Sequence, residues 1–558
     1  MIKLVSIPEK IAKLDKMQQV RHPEKVLTHT NLKRRRRKQK MNYFLVVAIC
    51  IAIAVTLAAA SGKLQFQLTD KRAFQLVCLL AAVTGTVYFL LTLYKYYAMH
   101  FGLWDFGIYD SMLHNTAFGK GFMRDYRGPF DHFSPAILLL APFYWIFDSP
   151  VVLIVFQAAV MAAAAVPLFL LAKHYSRKPG IPLLLTAMYL LNPYYSRIAL
   201  YDFHIECLFP LVFFTAWLAY ARHKMNGFMI LLICAPLIKE DFIIPLGACG
   251  LFLGSRKQTL RYGIICLLAA GLWTLFVLKL WFPAMMEANY QHYGRFLPLL
   301  GATPGETFEN VRVILQQCFS RNSLAVLVSV LMPFAFLPLF SWRGFILLLC
   351  PVVFVHFCST FAHQQFLMSH YSSAVIAVMP VAALFGWRRL RAKARRWQFS
   401  KNQTGLIFRL AVFMTLLTHI VFCELPGVKF YNYIARYRPQ FQFGILSVPL
   451  WNYWFVNQDH ALLFHELRKQ IPENLTITAQ NNLGYFFVRN RKLYSIPGPP
   501  EGTDVYIFDT KTFTGYDGVD NMNRLATALK NNNKYKCLFS QDGLYIFAGK
   551  SILLNDKN

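Results

Sequence analysis

Carboxylates, histidines and aromatic side chains crowd one stretch of the chain, His100-Phe-Gly-Leu-Trp104-Asp105-Phe-Gly-Ile-Tyr-Asp110, which is followed by Asp125 and by Asp131-His132-Phe-Ser134-Pro135. Such a set suits a site that binds a polar substrate and removes a proton from an acceptor, with a divalent cation as a candidate cofactor. The same spacing also fits a solvated loop whose aspartates cap helices. A second constellation, Asn192-Pro-Tyr-Tyr-Ser-Arg197 and Tyr201-Asp202-Phe-His204-Ile-Glu206, leads into an apolar run. Asp202, His204 and Glu206 share one face of an extended stretch, whereas on a helix Asp202 and Glu206 stack one turn apart. Either arrangement makes a metal or proton-transfer site, or a set of interfacial anchors.

Lys239-Glu240-Asp241 interrupts the apolar run 227–254. Charges at a bilayer centre cost roughly 2.5–3.5 kcal/mol each on insertion scales, so these must pair, line an aqueous cavity, or sit in an interfacial turn between two half-spans. Further on, His356, His363 and His370 recur at intervals of seven, which is not a metal-ligand spacing. His370-Tyr371, leading into another apolar run, reads as a substrate-facing lip. Gln480-Asn481-Asn482 either hydrogen-bonds a sugar or forms an Asn-rich turn.

The elements that must position these groups are membrane helices. Of 558 residues, 56% are apolar and 15% charged, well below the roughly 25% charge of soluble domains. Runs long enough for a hydrocarbon core, which takes ~20 helical residues, lie near 42–60, 73–94, 149–172, 205–221, 262–282, 322–340 and 405–424, with shorter ones near 181–195, 227–254, 344–358 and 371–386. They predict about ten to twelve spans. The net charge of +31 would suggest nucleic acid in a soluble chain, but it is concentrated in short loops and no nucleic-acid partner is expected. Residues 1–40 hold 13 Lys/Arg, including Lys33-Arg34-Arg35-Arg36-Arg37-Lys38, and a basic loop at 387–401 holds seven. Attraction to anionic lipids and fixing of orientation explain both. Placing the basic loops in the cytoplasm puts 95–148, 281–320, 359–370 and everything after 424 outside, with one inconsistency: two simple spans before residue 95 would return that loop to the cytoplasm. The 11 cysteines include no CxxC pair and predict neither zinc nor disulfides.

After Glu424 the pattern changes to helix-like 460–470 and 519–530 and strand-like 475–479, 504–508 and 544–547. The fold class is therefore mainly α, a polytopic transmembrane helical bundle with a small C-terminal α/β extracytoplasmic domain. Its expected parts are a basic cytoplasmic tail (1–40), a transmembrane helical domain with an acidic outer loop at 95–148 (41–424) and a small soluble α/β domain (425–558).

The order Trp104-Asp105-Phe-Gly-Ile-Tyr-Asp110, Asp131-His132-Phe-Ser-Pro135, Ala141-Pro142, Tyr201-Asp202-Phe-His204, Lys239-Glu240-Asp241, His370-Tyr371 and Ala479-Gln-Asn-Asn-Leu483 resembles a family of bacterial polytopic membrane proteins, domain-of-unknown-function family 2079, across roughly residues 73–510. That family in turn looks like the GT-C glycosyltransferases, such as aminoarabinose transferases and protein O-mannosyltransferases, which use lipid-phosphate sugar donors on the outer face of the membrane. The resemblance implies a GT-C-like bundle in the bacterial inner membrane, with membrane lipids and a polyprenyl-phosphate-linked sugar donor as partners. It implies Asp105 as the carboxylate that activates the acceptor and Asp110 as the adjacent alternative. Asp131 and His132 would orient the acceptor or a cation, Lys239, Arg197 and Arg124 would meet donor phosphate, and Asp202 and Glu206, with His204 between them, would hold sugar hydroxyls or form a second carboxylate pair. Glu240, His370 and Tyr371 complete the expected substrate-binding set. The chain departs from that pattern in having no paired Asp-X-Asp in the loop and a His at 132 where many such transferases carry Lys or Arg. Two rivals remain: a transporter or flippase using the intramembrane charges as an ion relay, and a non-catalytic anchor for the C-terminal domain.

Overall fold

The computed structural model describes residues 68–176, 178–286, 294–301, 303–365, 367, 369–398, 410–411, 413–419, 458–496, 503–511, 518–550 and 552. The basic tail 1–40, the apolar run 42–60 and all of 425–457 lie outside the described residues. Among the described residues, four helices are long and apolar enough to cross a membrane: α1 (Asp70–Tyr97), α2 (Val151–Tyr175), α3 (Lys257–Met285) and α4 (His370–Ala394). A pair bent by 53°, Val311–Cys318 and Arg321–Phe334, makes a fifth if it is one span, and five shorter apolar helices of 10–17 residues fill the bundle. Over the described residues the bundle is thus a mixture of long helices and short or broken ones, matching the full-length and interrupted apolar runs read from hydropathy. Pro236, Pro333 and Pro338 stand at 3-10 interruptions, because proline has no N–H to give to the helical ladder.

Position in the bundle follows from side-chain type. Thr69 caps α1 by accepting the Arg72 N–H, Asp70 lies in its first turn and Lys95 in its last, each matched to the helix dipole. Its Leu79, Leu80, Val83 and Leu90 are exposed, an apolar face suited to lipid tails. In contrast 83% of the α4 span is buried, against 22% for α3, so α4 is the central strut and α3 peripheral. Small residues permit this close packing: a Cβ on Gly386 would lie 1.8 Å from the Leu337 carbonyl oxygen. The basic stretch expected as a loop at 387–401 instead continues the helix to Arg396. Long basic side chains are good helix formers and their heads reach out past the bundle.

The C-terminal part forms a five-stranded sheet in the order β4-β3-β5-β7-β6, preceded by β1 (Arg124–Asp125) and β2 (Gly128–Pro129), a small hairpin in the acidic loop. β3 (Thr476–Ala479) pairs in parallel with β4 (Lys492–Ser495) and with β5 (Val505–Asp509). β7 (Leu544–Gly549) is antiparallel to both β5 and β6 (Tyr535–Gln541). The β6–β7 turn is Asp542-Gly543, both at positive φ (51° and 85°), the backbone that a two-residue hairpin loop requires. Helix α5 (Gln458–Arg468) covers one face through Leu463, Phe464 and Leu467, and α6 (Val519–Lys530) covers the other through Met522, Ala526 and Leu529. The expected strands and helices are all present; β4 and β6, which hydropathy does not distinguish, complete the sheet. Met99 and Leu103, from the loop after α1, sit inside the sheet's own core beside Ile477 and Ile507.

Candidate active site

Asp105 stands on a single π-helical turn, Leu103–Gly107, that interrupts the start of the helix Ile108–Ala117. Such bulges widen the backbone by one residue and re-aim a side chain. Three contacts hold the turn. The Gly102 N–H donates to Asp202 Oδ2 at 2.6 Å, the Trp104 N–H donates to Asn481 Oδ1 at 3.1 Å, and the Tyr201 hydroxyl donates to Asp105 Oδ2 at 2.7 Å. Gly107 leaves room for the Leu103 side chain, which a Cβ there would meet at 2.6 Å and push aside. Asp202 is buried on this turn; burial, followed by the nearby charge of Asp105, pushes its carboxyl up to about 7.

The segment carrying Tyr201, Asp202 and His204 is itself tied down from α2. Buried Gln157 donates to the carbonyls of Ile198 and Tyr201 and accepts the His204 N–H. His204 Nδ1 donates to the Asp202 carbonyl at 3.0 Å, so Nε2, on the other side of the ring, faces Asp105 Oδ1 at 3.7 Å. The His204 ring lies flat on His370, with centroids 3.6 Å apart and planes within 10°. Behind them is a charged layer. Lys239, at a point where the backbone turns extended between two 3-10 turns, meets Glu206 Oε1 at 2.5 Å, and His370 Nε2 lies 3.9 Å from the same oxygen. Glu240 accepts from the Phe133 N–H at 3.0 Å and pairs with His132 Nδ1 at 2.7 Å. Burial and the Lys239 charge work against protonation of His132, but Glu240 and Asp131 outweigh them and raise its pKa.

These groups surround a cavity of about 870 Å³. Of the residues singled out in the sequence, Asp105, Asp131, His132, His204, His370 and Tyr371 line it. Asp202, Glu206, Lys239 and Glu240 do not line it; they are buried one layer behind, as the partners just described. Three expected residues are elsewhere. Asp110, 1% exposed, accepts two hydrogen bonds from Arg489 and one from the Tyr144 hydroxyl, so its lone pairs are committed to structure. Arg197, also 1% exposed, packs over the Tyr194 ring and reaches the Leu367 carbonyl, and Arg124 is exposed on the small hairpin outside the cavity. Asn482 is buried and Gln480 accepts the Asp509 N–H, so of this trio Asn481 alone touches the Asp105 turn.

Sequence reasoning missed three parts of the wall. Arg295 stacks on Phe361 at 4.4 Å and donates to the Tyr371 hydroxyl at 3.1 Å. Its signal was faint: a lone Arg beside apolar residues. Arg127 bridges Asp125 at 2.8 Å and Asp131 at 3.5 Å. The four residues of β4, 492–495, close the cavity from the C-terminal sheet, a long-range contact that no local pattern announces. Among the described residues no three His, Cys, Asp or Glu side chains converge as metal ligands.

A helical membrane bundle with an acidic, histidine-rich cavity, walled on one side by a small α/β sheet, is the class of protein these features define. Residues 95–546 match the family described as "Predicted membrane protein (DUF2079)", and the chain belongs to that family. No curated protein matches the chain. Among solved structures it is similar to ArnT from Cupriavidus metallidurans bound to undecaprenyl phosphate, with a TM-score of 0.41 and 12% identity over 85% of this chain and 98% of that one. The apo state of ArnT gives a TM-score of 0.37 and 13% identity over 84% and 98%.

Proposed function

We propose that the protein is an inner-membrane inverting glycosyltransferase that moves a sugar from a polyprenyl-phosphate donor to a lipid or polymer acceptor on the periplasmic side. One observation carries the reading: a carboxylate, Asp105, fixed on a purpose-built turn, faces a cavity that also presents Arg295 and Tyr371. Sugar transfer needs a base for the acceptor hydroxyl and charge compensation for the departing phosphate, and both are worth most in a site shielded from water. The cavity volume is within the range of small-molecule sites. Asp105 is the base in this reading. Arg295, with a planar fork suited to phosphate, takes the place that the sequence offered to Lys239 and Arg197, which are held by internal partners. Asp131, His132 and His370 hold the sugar or the acceptor. The C-terminal sheet, proposed to lie in the periplasm, closes the site through β4.

The test uses full-length protein in lipid nanodiscs with a panel of undecaprenyl-phosphate-linked hexoses and pentoses and a total lipid extract of the native host as acceptor source. Release of undecaprenyl phosphate and a labelled glycan product by wild type, lost in Asp105→Asn at equal abundance, is the expected result. No turnover of any panel member by wild type overturns the assignment.

A further inference from the structure

We propose that the proton removed from the acceptor ends on His204 Nε2, so that Asp105 and His204 act as a two-group proton acceptor. The inference rests on the transferase reading and extends it to a second catalytic residue.

The geometry fixes the tautomer. A carbonyl only accepts, so the bond from His204 Nδ1 to the Asp202 carbonyl places the ring's hydrogen on Nδ1 and leaves a lone pair on Nε2. That lone pair faces Asp105 Oδ1 at 3.7 Å, too far for a hydrogen bond and with no hydrogen between the atoms. Two acceptors aimed at each other in a buried place repel; one added proton turns them into a charge-assisted hydrogen bond. The surroundings keep the imidazole ready for it. Tyr109 meets the His204 ring edge-on, Tyr201 lies beside it and His370 covers its face. The charged groups around it are Asp105, Glu206 and Lys239, with Asp202 in the same loop. Burial, then the pull of Glu206 and Asp105 against the push of Lys239, leaves the pKa below the usual histidine value. Gln157 pins the His204 backbone, so the ring does not swing away.

In the step, the acceptor oxygen forms a bond to the anomeric carbon while the bond from that carbon to the phosphate oxygen breaks, its electron pair leaving with the phosphate. The acceptor's proton passes to Asp105 Oδ1 and on to His204 Nε2. An imidazolium beside a carboxylate results, and the proton later leaves through the cavity to water.

The experiment is the pH dependence of kcat and KM for undecaprenyl phosphate release, with the nanodisc system above, in wild type, Asp105→Asn, His204→Gln and His204→Gly. General-base roles are worth about 10²–10⁴-fold, so His204→Gln is expected to lose roughly that factor in kcat with KM nearly unchanged. The acid limb of its rate profile should shift to the one that Asp105 alone sets, and imidazole in the buffer should restore part of the His204→Gly rate. If the acid limb of His204→Gln coincides with that of wild type, or its loss is confined to KM, the inference falls while an inactive Asp105→Asn still supports the transferase. If wild type turns over no donor, the transferase reading falls and this role with it. Where the histidine variants do not fold, nitrogen NMR of the wild-type imidazole decides: hydrogen on Nδ1 below one turnover's proton load supports the dyad, and hydrogen on Nε2 in the resting protein overturns it.

Discussion

Arg489 of the C-terminal sheet region and Asp110 of the membrane region are joined by two hydrogen bonds of 3.0 and 3.1 Å, and the same guanidinium reaches Asp148 at 3.1 Å. Asp110 is buried, so this contact replaces the water its carboxylate has lost. Removing one member of a buried pair costs about 3–5 kcal/mol because the other is left desolvated and unpaired. Arg489→Ala should therefore loosen the contact between the two regions. The expected outcome is a lower thermal midpoint, with Arg489→Lys only partly corrective since an ammonium does not reproduce the two-pronged contact.

Asn481 acts on the reaction at one remove, by accepting the Trp104 N–H of the Asp105 turn. Leaving a part-buried donor unmet costs about 1–3 kcal/mol. Asn481→Ala is expected to lower kcat by roughly tenfold, at about 1.4 kcal/mol per decade, with little change in donor KM. Asn481→Asp, which keeps an acceptor oxygen at the same reach, should recover most of the rate. Equal losses in both variants would show that the Trp104 contact is not what matters.

Arg295 should behave in the opposite way. Its stacked guanidinium and its bond to Tyr371 prepare it for an anion. Arg295→Ala is expected to cut kcat/KM for the polyprenyl-phosphate donor by about 10–100-fold, the scale of one lost charge-assisted contact, mainly through KM. Unchanged donor KM would remove Arg295 from the phosphate site.

Lys239 and Glu206 offer a double-mutant test. Both are buried and 2.5 Å apart. Lys239→Met and Glu206→Gln should each destabilise by about 3–5 kcal/mol, whereas the double variant should cost less than either because no charge is stranded. Additive losses, measured as unfolding midpoints in detergent, would contradict a direct pair.

The sheet region carries its own pH dependence. His460 lies between Asp509 and Asp542, each 2.9 Å away. Burial opposes its charge, but Asp509 and then Asp542 outweigh that and raise its pKa. A raised histidine pKa means that the folded state binds the proton more tightly than the unfolded chain. The stabilisation is thus fully present below the unfolded value of about 6.5 and is lost as pH rises through the folded value. Hydrogen exchange of β5 and β7 in the full chain should speed up as pH climbs past neutrality, after correction for intrinsic rates. His460→Gln should flatten that trend.

Much of this was readable from residue types. The acidic loop, the Tyr201–Glu206 segment and His370-Tyr371 converge because ionisable groups beside apolar runs are costly unless they meet one another. What stayed hidden was who partners whom. Asp105 and Asp110 look alike in sequence, five residues apart, yet one faces the cavity and the other faces Arg489, 379 residues further along. Lys239 looked like a phosphate ligand because its charge sits among apolar residues, but the same fact equally demands an internal counter-ion, and Glu206 supplies it. Hydropathy likewise records apolar length, and does not by itself tell a continuous helix from one that is short or broken within the bundle.

The bond between Trp104 and Asn481 joins positions 377 residues apart. During synthesis the ribosome must add those 377 residues before the turn that carries Asp105 can gain this support. Nascent chains halted between the two positions therefore carry the turn without the contact that braces it.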